Sequence, residues 1–267
     1  MYKYETHLHT SQASACGRST GAQHARFYHR LGYDGIFVTD HFFRGNSCVP
    51  HELPWADRVH LFCAGYRDAK EEGDRIGLKV FFAWEETMDG DDYLVYGLTP
   101  EWLEAHPEIE HCTRRQQLAL AHAAGGCVVQ AHPFRQRDYI RRILLAPDYV
   151  DAVEVANTGN APLDDVCAYR YAVERGFYMT CGSDNHLSGF GVREPERTWG
   201  VGLEEPLDSA MDYVRVILER RPMTLLCPED RLRPQEDMVS PDAWILDEHE
   251  QPVLSGHDWV WGGDKAV

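Results

Sequence analysis

The chain has 267 residues, 43% of them apolar, and carries 43 acidic against 26 basic side chains for a formal net charge of −17. That size and apolar share suit one large α/β domain or two small ones with a full core, while the acidic balance, with no evident cluster of Lys and Arg, opposes strong binding to nucleic acid or anionic lipid. Eight cysteines without a C-x-x-C pair exclude zinc-ribbon and thioredoxin motifs, and the lack of a secretory leader or of an apolar run near the roughly 18 to 20 residues that cross a bilayer points to a cytoplasmic protein with no membrane partner.

In chain order, strand-like runs recur as YETHLH (4–9), GIFVTD (35–40), LKVFFAW (78–84), YLVYGL (93–98), CVVQA (127–131), VDAVEVA (150–156), FYMTC (177–181) and MTLLC (223–227). Helix-like stretches lie between most of them, at about 21–32, 57–76, 113–124, 162–175 and 207–220. Gly125, Gly126 and Gly176 mark helix ends and Pro162 a helix start. This alternation predicts a mostly parallel sheet, and the number of units favours closure into a barrel over a doubly wound open sheet. From Pro228 the chain is richer in proline, acidic residues and tryptophan (Trp244, Trp259, Trp261), which reads as a C-terminal extension, 228–267.

The strand ends carry the chemistry. His7 and His9, spaced i, i+2, share one face of the first strand. The second strand ends in Asp40 and His41, the third in Glu85 and Glu86, the fifth in His132, and the strand at 177–181 is followed by Asp184 and His186. In a parallel barrel such ends converge on one mouth, where active sites sit. Mixed imidazole and carboxylate donors suit zinc, manganese or iron better than calcium or magnesium. Their number exceeds the three protein ligands of a mononuclear catalytic zinc, so two or three divalent ions are expected, with Glu85 able to bridge two. His24, His29, His60, His111 and His122 fall on helices among polar neighbours and read as solvated. His51, His106, His249 and His257 read as loop or tail residues.

The ordered set HLH, TDH, a Glu after the third strand, AHP and SDNH resembles the PHP domain family (polymerase and histidinol phosphatase) over residues 1–227. The resemblance implies a distorted seven-stranded (β/α) TIM-like barrel, a trinuclear metal centre and phosphoester hydrolysis. It also implies His7, His9 and Asp184 on a first metal, Glu85 bridging to a second, His132 on the second, and His41 and His186 on a third. Asp40 would sit just behind, orienting a ligand or handling a proton. Two positions depart from the family pattern. Cys16, near Ser14, stands where many members have His or Asp, and a thiolate there would favour zinc or iron. Asp92, between Asp91 and Tyr93, replaces a usual histidine near the fourth strand.

A water activated between such ions would attack phosphorus in line, with the cations supplying locally the positive charge that the chain lacks globally. Arg18, Arg44, Arg135 and Arg193 follow ligand motifs as candidate phosphate clamps, Arg135 foremost, and Asn157 is a candidate pocket residue. No phosphate-binding P-loop, dinucleotide fingerprint or nucleophile elbow occurs. The expected partner is a small phosphorylated metabolite or nucleotide. The competing readings are an amidohydrolase-like C–N hydrolase and a catalytically silent phosphometabolite-binding or polymerase-accessory module.

Overall fold

The computed structural model describes residues 1–188 and 198–260. Strands β1 (Tyr2–Glu5), β2 (Gly35–Val38) and β3 (Lys79–Met88) run parallel, joined by α1 (Gly21–Arg30) and by α2 (Trp55–Phe62) with α3 (Ala64–Ile76). β4 (Asp91–Tyr96) folds back antiparallel on β3. After α4 (Pro100–Ala105) and α5 (Arg114–Ala123), β5 (Cys127–Ala131) pairs antiparallel to β4. Beyond the short β6 (Ile143–Leu145), β7 (Ala152–Asn157), α6 (Pro162–Arg175) and β8 (Tyr178–Gly182) resume the parallel course. The chain continues through β9 (Val201–Leu203), α7 (Ala210–Leu218), β10 (Met223–Leu225), β11 (Ala243–Leu246) and β12 (Pro252–Leu254).

Among the described residues the main sheet has nine strands, in the order β10-β9-β1-β2-β3-β4-β5-β7-β8, rather than the expected seven. It is nearly closed and barrel-like. Its edge strand β8 is drawn towards β1 beyond the strands themselves, where Leu8 and Asn185 form a parallel bridge and the His9 N–H donates to the Asn185 carbonyl at 2.9 Å, while β9 and β10 continue past β1. The additional β9, paired antiparallel with β1, is three residues long with a central glycine, too short to carry a periodic signal. The expectation of parallel strands fails at β4 for a local reason. Met88 pairs with Asp91, leaving Asp89 and Gly90 as a two-residue turn with φ of 53° and 96°, the left-handed pair that hairpin turns require and that Asp-Gly supplies. Because β4 runs backwards, its first residues, not its last, face the barrel mouth.

The helical punctuation is as the sequence implies. Thr20 with Gln23 and Thr113 with Gln116 close capping boxes on α1 and α5, Pro162 opens α6, and Gly176 ends it at φ 69°. The helical stretch at 57–76 is two helices broken at Cys63. β2, β5 and β7 are buried at every residue, as expected of strands covered on both faces. All eight cysteines are free thiols.

The described part of the C-terminal extension packs onto the barrel. β11 pairs parallel with β6 and antiparallel with β12 to form a second, three-stranded sheet. Trp259 is fully buried against Phe134 and Tyr171, with ring centroids 5.8 and 5.3 Å away. Trp259→Ala should therefore destabilise the protein by about 3–5 kcal/mol through lost burial and a cavity. Urea unfolding would measure it, and a change near zero would mean that the extension is dispensable to the fold.

Candidate metal centre

The centre is assembled from strand ends that the ladder brings together. His7 and His9 follow β1, and the i, i+2 spacing places their Nε2 atoms 3.1 Å apart. His41 follows β2, Glu85 lies in β3, and the two are linked by a parallel bridge. His132 comes directly after β5 and Asp184 two residues after β8, both in the left-handed region at φ 30° and 52°. Such backbone persists where surrounding structure fixes it, and it clusters at functional sites.

Glu85 sits at the middle. Its Oε1 is 3.2 Å from His7 Nε2 and 3.0 Å from His132 Nε2, and its Oε2 is 2.8 Å from His41 Nδ1 and 3.4 Å from His9 Nε2. Asp184 Oδ1 lies 3.1 Å from His9 Nε2, 3.6 Å from His7 Nε2 and 3.7 Å from His186 Nδ1. Three overlapping groups result: His7, His9 and Asp184; His7, Glu85 and His132; and His9, His41 and His186, each with its ligand atoms within 4.8 Å of one another.

Divalent cations fit this donor set. Glu154 Oε1 accepts from His7 Nδ1 at 3.0 Å, which fixes the tautomer and turns the Nε2 lone pair inward. That lone pair faces a second imidazole nitrogen and two carboxylates, so acceptors outnumber protons in a space without water access. His41 Nδ1, Glu85 Oε2 and Asp92 Oδ1 are buried without a hydrogen-bond partner; the 2.8 Å approach of the first two lacks hydrogen-bond alignment. Buried acceptors in this state are costly unless a cation meets them.

The titration tendencies express the same deficit of positive charge. Burial disfavours charge on His7 and His41, yet Glu154, Asp184 and Glu85 around His7, and Glu85 beside His41, raise both well above the usual histidine value. Burial likewise opposes ionisation of Glu85, but His41 and His7 hold it well below the carboxylate range. Asp184 is also lowered, against burial, by Arg135 and His7.

The remaining expected residues fall at the edges. Cys16 is half-buried at the rim; burial pushes its thiol up, but hydrogen bonds with His186 and His41 prevail and bring it down to about 6. It belongs to none of the three ligand groups. Asp92, at the start of the reversed β4, pairs in register with Ala131 and reaches within 3.9 Å of His132 Nε2. Asp40, expected as a catalytic group, lies behind the ligands. It accepts from Thr10 N at 2.6 Å, Thr10 Oγ1 at 2.7 Å and Ser14 Oγ at 2.7 Å, and Ser14 Oγ in turn lies 3.3 Å from His9 Nδ1. Arg135 reaches Asp184 at 2.7 Å and donates to Asn157 and Asn160, each at 2.8 Å. Arg44 turns away to the carbonyls of Glu110 and Cys112, Arg18 is exposed, and Arg193 lies outside the described residues.

Three functional positions escaped the sequence reading. Glu154, the single charged residue of the buried AVEVAN strand, holds His7 and also accepts from the His132 N–H at 3.1 Å. Glu5, fully buried in β1, accepts from the backbone of His7 and Ser183 at 2.8 and 2.9 Å and so ties the two converging strand ends together. His24 is not solvated. It is fully buried, donating through Nε2 to the His9 carbonyl at 3.0 Å and accepting at Nδ1 from Ser188 Oγ at 2.8 Å, and burial pulls it down to about 4. His29, His60, His111 and His122 are exposed as expected.

No family model matches the sequence, and no curated protein matches it either. Solved structures do. A two-domain protein containing a predicted PHP-like metal-dependent phosphoesterase from Bacteroides vulgatus superposes with a TM-score of 0.64 at 15% identity over 85% of this chain. This chain spans 64% of that protein's, less than two thirds. A candidate metal-dependent phosphoesterase from Bifidobacterium adolescentis matches at TM-score 0.52 and 19% identity, over 82% of this chain and 96% of its own. PsfC from Pseudomonas syringae matches at 0.52 and 17%, over 86% and 93%. The fold is thus that of the PHP-like metal-dependent phosphoesterases, in line with the ordered motifs.

Two outcomes are expected. Glu154→Gln, which weakens the orientation of His7, should lower metal affinity by about 10- to 100-fold in a calorimetric titration; unchanged affinity would show that Glu154 does not support a ligand. Since His7 and His41 are raised above the usual value, they hold protons near neutrality that a cation must displace. Metal affinity should then rise as the pH is raised through and beyond the usual histidine value, with protons released on binding. A flat profile would contradict the assignment.

Proposed function

We propose that the protein is a metal-dependent phosphoesterase acting on a small phosphorylated molecule. The observation that carries this reading is Glu85, buried among ring nitrogens of His7, His9, His41 and His132 at 2.8 to 3.4 Å, with Asp184 closing the cluster. Divalent ions held there would supply Lewis acidity towards phosphoryl oxygens and an activated water near neutral pH.

This chain's residues set the geometry around them. His7, His9 and Asp184 form one ligand group, Glu85 joins it to His132, and His41 with His186 forms the third, to which Cys16 lies adjacent. Asp92 is positioned to extend the second group. Arg135 has five N–H donors, of which three are engaged by Asp184, Asn157 and Asn160. The remaining two are free to receive a phosphoryl oxygen, and the fork is held in place before substrate arrives. Asp40 acts through Ser14 on the orientation of His9 and stays out of the proton transfers, since three donors already occupy its oxygens.

With manganese, zinc or iron supplied, p-nitrophenyl phosphate or its bis ester should be hydrolysed, and chelation or His9→Ala should reduce turnover by at least about 100-fold. Binding of phosphate compounds with no turnover under any of these metals would favour a silent binding module instead. Cation loading at about 100 times Kd should also stabilise the fold by about 2.7 kcal/mol, visible as a raised melting temperature.

A further inference from the structure

The segment PFRQRDYIRRIL (133–144) after β5 places four of the chain's 26 basic residues, Arg135, Arg137, Arg141 and Arg142, within eight positions. The expectation that this acidic chain lacks a basic cluster is therefore corrected. Folding gathers the four around one cavity of about 380 Å³, whose other wall comes from the C-terminal extension at Pro241, Asp242 and Trp244. Two acidic side chains, Asp138 and Asp242, also line it, which leaves a local excess of positive charge in a molecule of net charge −17.

Three of these guanidinium groups have no carboxylate partner among the described residues. Arg137 donates to the carbonyls of Gln136 and Gly159, and Arg142 lies over the Trp244 ring at 5.7 Å. Among the described residues, Arg135 alone of the four forms an ion pair, with Asp184 of the metal centre. Arg135 therefore lines the cavity and touches the centre at once. Four like charges in so short a loop repel one another, and arrangements of this kind are favoured where an anion is to be received, since the planar fork of arginine matches an oxyanion better than a lysine does.

We propose that this cavity binds an anionic group on the alcohol side of the substrate, so that the preferred phosphoester carries a second phosphate or a carboxylate reaching from the metal centre to Arg141 and Arg142. The inference rests on the phosphoesterase reading of the centre and adds to it a substrate class. It also gives the extension a role, because Trp244 of β11 and Pro241 and Asp242 just before it supply one cavity wall.

The test uses manganese-loaded protein and alkyl phosphonates, which cannot be hydrolysed, bearing at the far end a phosphonate, a carboxylate or a neutral hydroxyl. Calorimetry should find at least one anionic probe bound about tenfold more tightly than the neutral one, and the one that gains more identifies the group. That gain should vanish in Arg141→Ala combined with Arg142→Ala, both exposed positions, and an unchanged melting temperature would exclude misfolding as the cause. Equal affinity for neutral and anionic probes, or a gain that survives the double substitution, overturns the inference. Turnover of p-nitrophenyl phosphate without any anionic gain would sink this inference alone, whereas a gain that depends on the arginines without turnover of any ester would sink the phosphoesterase reading and support the cavity as an anion site.

Discussion

A buried carboxylate ringed by imidazole nitrogens is the constraint on which the rest of this structure turns. Glu85 has imidazole nitrogens within 2.8 to 3.4 Å of both its oxygens, a hydrogen bond only at Oε1 with His132, and those rings also face Asp184 and one another. Much of the surrounding architecture holds these acceptors at close quarters. The Leu8–Asn185 bridge draws the segments that follow β1 and β8 together. Gly182 leaves room for the approach, since a Cβ there would come within 2.6 Å of His7 Cβ and 2.7 Å of Glu154 Oε1. Distances that short force a neighbour to move, and the neighbours are His7, a candidate ligand, and Glu154, which hydrogen-bonds it. The fold thus invests local packing in an arrangement that is stable only around positive charge.

Which parts were legible in the sequence follows from the range over which each signal acts. His7, His9, His41, Glu85, His132, Asp184 and His186 could be read because each stands beside an apolar run, and strand ends in a barrel share one mouth whatever lies between them. Glu154 was missed because it sits inside such a run, where a charged residue looks like an interruption until its partner, His7, is known to lie opposite. His24 was missed because α1 presents polar neighbours in sequence, while its burial comes from Ser188 and the His9 carbonyl, one of them 164 residues away. The reversal of β4 was in principle readable from Asp89-Gly90. Its consequence, that Asp92 rather than the end of the strand reaches the mouth, needs the register with β5.

Charge is distributed by the same logic. A chain of net charge −17 would repel an anion at a distance, yet the region of the strand ends answers that field in two ways. One is the cation-demanding cluster under the mouth. The other is the arginine loop after β5, tied to that cluster through the Arg135–Asp184 contact. Low-dielectric walls strengthen the first, so the local field under the mouth can oppose the global one.

Asp40 illustrates how the surroundings limit what a titratable group can do. Burial lifts its carboxyl to about 6 against the opposing pull of Ser14 and Thr10, which places it where a proton shuttle would be useful. Geometry argues the other way: the donors of Thr10 and Ser14 surround it, and the Ser14 backbone N–H is itself bound to the Thr10 carbonyl, so the carboxylate is locked into the turn that carries His9. Ser14 Oγ also accepts from the His41 N–H at 2.9 Å. One hydroxyl therefore couples the segments bearing His9 and His41, two candidate ligands, and Asp40 fixes that hydroxyl. Releasing Asp40 to carry protons would loosen His9 and His41 together, which is why proximity to a metal centre and a raised pKa do not by themselves make a proton carrier.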